Sequence, residues 1–123
     1  MLSLERRARK PSLLACLGGV LAAIAIGLSA YASHGIADPL AQSHVNTAAL
    51  YAFGHGVALA VLGPAQHNRI GKLALYVLLL GTLLFSGSLV AGALWQLSTQ
   101  LAPVGGTALM LGWLVYGLNA LRR

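Results

Sequence analysis

Acidic residues are almost missing from this sequence: Glu5 and Asp38 are the two that its 123 residues contain. One lies near the start and the other beside a proline turn, so they form no carboxylate pair. Neither falls within an apolar stretch to complete an intramembrane proton relay, which pairs histidine with a carboxylate. Cysteine is scarcer still. Cys16 stands alone inside an apolar run, which excludes an internal disulfide and leaves the thiol as a small buried hydrophobe. Charge of either sign makes up 8% of the chain, against about 25% in ordinary soluble domains. No nucleophile is paired with a base, no glycine loop is followed by the lysine of a phosphate cradle, and no HxH or HxxxH spacing offers a metal site. These absences predict a protein that is not an enzyme and carries no cofactor or bound metal.

What the chain has is apolar surface. Hydrophobic residues are 58% of it, and its mean hydropathy is +0.78. A domain of this size leaves much of its surface exposed, so lipid is the solvent that suits these side chains. Four apolar runs, at residues 12–32, 45–63, 71–94 and 101–121, each approach the roughly 20 residues that a helix needs to span a bilayer. None holds an interior Asp, Glu, Arg or Lys beyond its edge, where one charge costs at least about 2.5 kcal/mol on insertion. Short polar connections at 33–44, 64–70 and 95–100 force neighbouring helices to alternate in direction. The predicted fold is an all-α integral membrane protein, a single domain over 1–123, built as a four-transmembrane-helix up-down bundle.

The formal charge of +6 raises nucleic acid as a partner, but no basic stripe runs along a helix face among aromatics. All eight basic residues instead flank the spans on one side: Arg6, Arg7, Arg9 and Lys10, then Arg69 and Lys72, then Arg122 and Arg123. The positive-inside rule places that side in the cytoplasm. Both termini, including the basic N-terminus at 1–11, are then cytoplasmic. The partners expected are the lipid bilayer, with anionic headgroups at the basic residues, and a membrane-protein complex or homo-oligomer. Ala30-Tyr31-Ala32 imitates a signal-peptide cleavage site, but the apolar run before it exceeds the usual length of about 7–15 residues. The first helix is expected to be retained.

Candidate site residues cluster in the second span. Thr47, Tyr51 and His55 are spaced i, i+4, i+8 and share one face. His55 lies about ten residues into that span, close to the bilayer midplane. Ser86 and Ser88 on the third span reach a similar depth, which makes a hydrogen bond to His55 feasible. Trp113 lies mid-span in the fourth helix, where its indole N–H needs a partner inside the bundle. The polar cluster expected is thus Thr47, Tyr51, His55, Ser86, Ser88 and Trp113. His55 reads first as a neutral imidazole held by neighbouring helices, and second as a relay or ligand. His34 lies about 15 Å from it by helix rise, a poor second axial ligand for haem. His34, Asp38 and His44 form a second candidate cluster in the outer loop, better explained by solvation and by Asp38 before Pro39 as a helix start. Small residues recur at Gly19, Ala23 and Gly27, at Ser88 and Gly92, and at Ala108 and Gly112, faces that allow close helix packing in lipid. Tyr31 and Trp95 sit at span boundaries, as interfacial anchors do.

Several segments taken in order carry a resemblance: Ala32-Ser33-His34-Gly35, Thr47-Ala48 with Tyr51 and His55, Leu84-Phe85-Ser86-Gly87-Ser88-Leu89, and Pro103-Val104-Gly105-Gly106 followed by Gly112-Trp113. The chain resembles the YgdD-like family of small bacterial membrane proteins, a domain of unknown function with eukaryotic transmembrane relatives. The resemblance implies four transmembrane helices in the inner (plasma) membrane of a bacterium and supplies no reaction. At Gly54 the chain departs from the pattern, which carries a bulky or aromatic neighbour before the histidine, and this implies a looser site. The functional expectation is an accessory or interaction protein of a membrane complex. Two other classes stay open: a small transporter or channel using His55, and a binder of haem, quinone or lipid around His55 and Trp113.

Overall fold

The computed structural model describes residues 11–122. The predicted basic cluster at Arg6, Arg7, Arg9 and Lys10, together with Arg123, lies outside them. Four helices follow in order: α1 (Leu13–Gly35), α2 (Pro39–Leu62), α3 (Arg69–Trp95) and α4 (Leu101–Asn119). All four are long and apolar enough to cross a membrane, and they pack as an up-down bundle.

Local chemistry sets the helix ends. Ser12 Oγ accepts from the Ala15 amide at 3.1 Å, Asp38 Oδ2 from Ala41 at 2.9 Å and Asn68 Oδ1 from Gly71 at 2.7 Å. Each satisfies a backbone donor that has no partner within its helix. Pro39 takes the first turn of α2, where a missing N–H costs nothing. Gln96 ends α3 in the left-handed region, at φ 52°. Asn119 Nδ2 donates to Asn68 Oδ1 at 3.1 Å, tying the end of α4 to the start of α3.

The first loop departs from expectation. Residues 33–44 read as a polar connection, yet α1 continues to Gly35 and α2 begins at Pro39, leaving three residues between them. Hydropathy reports where lipid ends rather than where a helix ends. The polar residues of this stretch therefore occupy helical turns near the bilayer boundary. Gln42 closes the turn by donating to the Ala32 carbonyl at 2.7 Å.

Packing is arranged as two tight hairpins. In the α1/α2 pair, a Cβ on Gly56 would lie 2.7 Å from the Gly18 carbonyl oxygen, and one on Gly18 would lie 2.5 Å from the Gly56 oxygen. In the α3/α4 pair, a Cβ on Gly105 would lie 2.4 Å from the Phe85 amide nitrogen. Backbones that close leave no room for any side chain, so glycine is required at the contacts. The α2/α3 interface joins the two hairpins. Between them Leu14, Leu59, Leu75, Leu78 and Leu109 form a sealed apolar core. The outer surface carries Leu50, Val61, Leu80, Leu83, Leu114 and Leu118, as suits a lipid solvent.

One of the expected small-residue faces changes role. Gly112 packs on Leu78 as intramolecular packing requires, but nothing lies within 4 Å of a Cβ at Gly19 or Gly27. The Gly19, Ala23, Gly27 face of α1 is turned outward, because α1 meets α2 one residue further round, through Gly18.

Candidate functional site

His55 is half-buried near the bundle surface, about 7 Å by helix rise from the middle of α2. Its partner is not a serine. Trp113 Nε1 donates to His55 Nε2 at 3.0 Å, and His55 Nδ1 lies 2.8 Å from the Tyr51 carbonyl oxygen. An indole N–H can only donate, so Nε2 must accept and the proton must reside on Nδ1, aimed at that carbonyl. The geometry specifies one tautomer of a neutral imidazole with both nitrogens used. Tyr51 stacks on the imidazole at 6.1 Å and meets Phe85 at 4.7 Å, while Trp113 meets Tyr116 edge-on at 5.8 Å. A crevice of about 260 Å³ opens beside the group, floored by Gly106 and Leu109. Trp113 is 39% exposed, which corrects its placement in the bundle interior. It lies over the α2/α4 crevice because α3, not α4, is the direct neighbour of α2.

The other expected members of the cluster go elsewhere. Ser86 is buried and donates to the Ala48 carbonyl at 2.8 Å, across the α2/α3 interface. Its hydroxyl points into that seam and misses His55. Ser88 is buried with an unpaired hydroxyl, one turn from Gly92 and well round the helix from Ser86. Thr47 lines a shallow outward dent with Asn46 and Leu50. The second candidate cluster does not assemble. Asp38 caps α2, His44 faces Gly92 and Gln96 of α3 across a small cavity, and His34 turns to another face. Among the described residues no three His, Cys, Asp or Glu side chains are placed to hold a metal ion.

His34 instead belongs to a feature that spacing did not single out. An outward groove of about 630 Å³ runs between α1 and α2, lined by Ser29, Ser33, His34 and Asn46 above Ala25, Ala49 and Phe53. Taking helix midpoints as the bilayer centre, Ser29 and Asn46 lie about 7 Å from it, in the half away from the termini. Both lie within about one helical turn of the polar residues Ser33 and His44 near the bilayer boundary. Gln42, Ser86 and Trp113 use their side chains on groups within the chain. The Asn46 carboxamide has no such partner among the described residues and is exposed. The i, i+4 spacing of Ser29 and Ser33 was a legible signal of a shared face, but nothing in the sequence says that the face points outward.

A family profile described as a protein of unknown function (DUF423) matches residues 28–106. A UPF0382 membrane protein of Staphylococcus epidermidis is 32% identical over 113 residues, covering 86% of this chain and 93% of that protein. The chain belongs to the DUF423 family. A UPF0382 membrane protein of Haemophilus influenzae is 38% identical over 101 residues, covering 75% of this chain and 82% of its own length. YwdK of Bacillus subtilis, also a UPF0382 membrane protein, is 28% identical over 115 residues, 86% of this chain and 94% of that one. No solved structure matches the chain.

The DUF423 match takes in the whole of α2 and α3, with His55 and the groove lining from Ser29 onward, and ends at Gly106, before Trp113. The partner that fixes the histidine tautomer therefore lies beyond the matched stretch. Gly54, where the chain departs from the expected DUF423 pattern, meets nothing within 4 Å of an added Cβ. It points to lipid, away from the crevice, so its lack of a side chain does not loosen the site.

Proposed function

We propose that this chain is a non-enzymatic membrane protein that works through lateral contacts within the bilayer, as an accessory component of a membrane assembly. The observation that carries the reading is Asn46: an uncharged carboxamide in the outer half of a membrane-spanning helix, facing outward, with no hydrogen-bond partner among the described residues. In lipid such a group gains from a polar partner on another helix. A transport path through the bundle is less well supported, because the interior between the hairpins is closed by leucines. A haem-binding role for His55 is likewise disfavoured, since both ring nitrogens are engaged. Purification from native membranes in a gentle detergent, followed by mass spectrometry, is expected to recover a membrane protein bound in fixed ratio. A strictly solitary monomer under those conditions overturns the reading.

The orientation proposed has both termini on the cytoplasmic side of a bacterial plasma membrane. Arg69 opens α3 and Arg122 follows α4, at the bundle end where α1 begins, and this one-sided bias supports that orientation. In a Cys16→Ser background, Ala37→Cys is expected to react with a membrane-impermeant maleimide added to intact cells. Asn68→Cys is expected to react only after lysis. The reverse pattern means the opposite orientation.

A further inference from the structure

We infer that the cavity at the basic end of the bundle, between the start of α1 and the turn joining α2 to α3, binds the phosphate headgroup of an anionic phospholipid. Such a site is independent of lateral contacts with other proteins.

The cavity holds about 480 Å³, within the range of about 300–1,000 Å³ usual for small-ligand sites. Its wall has a polar and an apolar part. Lys72, His67, Tyr76 and Ser12 supply hydrogen-bond donors, while Leu13 and Leu14 supply apolar surface. The Lys72 ammonium carries a positive charge and three N–H donors for phosphate oxygens, and His67 keeps one ring N–H in either neutral tautomer. The side-chain hydrogen bonds at this end of the bundle are those of Ser12, Asn68 and Asn119. Among the described residues, the side chains of Lys72, His67 and Tyr76 donate to nothing in the chain.

Charge selects the class of lipid. The single acidic side chain among the described residues is Asp38, which caps α2 at the opposite end, and no carboxylate lines the cavity. A zwitterionic headgroup would bring an ammonium that finds no counter-charge there, beside a lysine that repels it. A phosphate without an ammonium meets Lys72, with Arg69 exposed one turn before it.

Position selects a lipid over a free anion. Ser12 precedes the first turn of α1 and Lys72 lies in the first turn of α3. The cavity is therefore level with the ends of two membrane-crossing helices, where headgroups lie. Leu13 and Tyr76 line it and are also 61% and 43% exposed, so its rim is continuous with the apolar outer surface along which acyl chains can lie. Basic pockets between transmembrane helices are a general means of holding anionic headgroups.

The test uses the full chain purified in detergent and read by native mass spectrometry, with phosphatidylglycerol and phosphatidylcholine of identical acyl chains added in equal amounts. The chain is expected to retain phosphatidylglycerol roughly five-fold or more over phosphatidylcholine. Lys72→Gln is expected to bring the two lipids near parity, and Lys72→Arg to keep the preference. Arg122→Gln, at the same end but outside the cavity lining, is expected to change it by less than about two-fold, because screening limits the reach of an exposed charge. Lys72 is exposed, and equal melting of the variants checks that folding is undisturbed. Equal retention of both lipids by the parent overturns the inference. Equal losses in Lys72→Gln and Arg122→Gln mean a diffuse basic surface and overturn it as well. Saturable binding of inorganic phosphate that Lys72→Gln abolishes, with no lipid preference, assigns the cavity to a free anion and overturns the lipid assignment.

Discussion

Gly56→Leu is expected to destabilise the protein by about 3 kcal/mol or more, enough to separate α1 from α2, while Gly54→Leu, two residues away, changes stability by less than about 0.5 kcal/mol. The first substitution must fit a side chain where a Cβ would already stand 2.7 Å from the Gly18 carbonyl oxygen and 2.8 Å from the Ala22 amide nitrogen. Both obstacles are backbone, so no rotamer change relieves them, and the helices have to move apart along a face that includes Ala49, Ala52 and Ala25. In lipid no hydrophobic effect opposes that movement, because close packing itself holds the helices together. At Gly54 an added side chain meets nothing within 4 Å and enters lipid. Thermal melting of the two variants in detergent, followed by the loss of a monodisperse gel-filtration peak, measures the difference. Equal melting temperatures would mean that the Gly18/Gly56 contact does not hold the hairpin.

The second large effect concerns the histidine. His55→Ala is expected to cost about 2 kcal/mol, within the range for leaving a donor unpaired away from water, because Trp113 loses its acceptor and Tyr51 its stacking partner. Trp113→Phe keeps an aromatic ring over the crevice and removes the donor, so it is expected to cost about 1 kcal/mol. The two groups share one hydrogen bond, and the double variant should fall short of the sum by about 1 kcal/mol. Additive losses would show that the two side chains act independently. A melting curve for His55→Ala unchanged from the parent, alongside the loss of a cellular function, would move His55 from a structural role to a working one.

The parts of this fold that are legible in the sequence are those that depend on position along one axis. Span number follows from apolar runs without charge, since a buried charge is penalised wherever it points. Asp38 before Pro39 correctly marks the start of α2, because capping is local chemistry. Its neighbours read as a loop in the sequence for the complementary reason: Gln42 and His44 are polar, but a helix near the bilayer boundary tolerates them. The pairing of Tyr51 with His55 is also local, four residues apart on one helix. The links to Trp113 and from Ser86 to Ala48 cross 58 and 38 residues respectively. Depth alone points to serine as the partner of His55, because it carries no information about which way a side chain faces.

By itself, then, the sequence determined the number of helices, their alternation, the family and the approximate depth of each polar group, because hydrocarbon thickness and helix rise convert residue number directly into depth. The rotation of each helix about its own axis was decided by tertiary structure. In a soluble protein, water would reveal the inner face through an amphipathic stripe. Here lipid and core are equally apolar, so periodicity cannot distinguish Gly18 from Gly19 or the packed side of α2 from the side that carries Asn46. Only the close approach of Gly18 to Gly56, and of Gly81 to Gly105, sets those rotations. They in turn direct the histidine toward tryptophan and turn the asparagine groove outward.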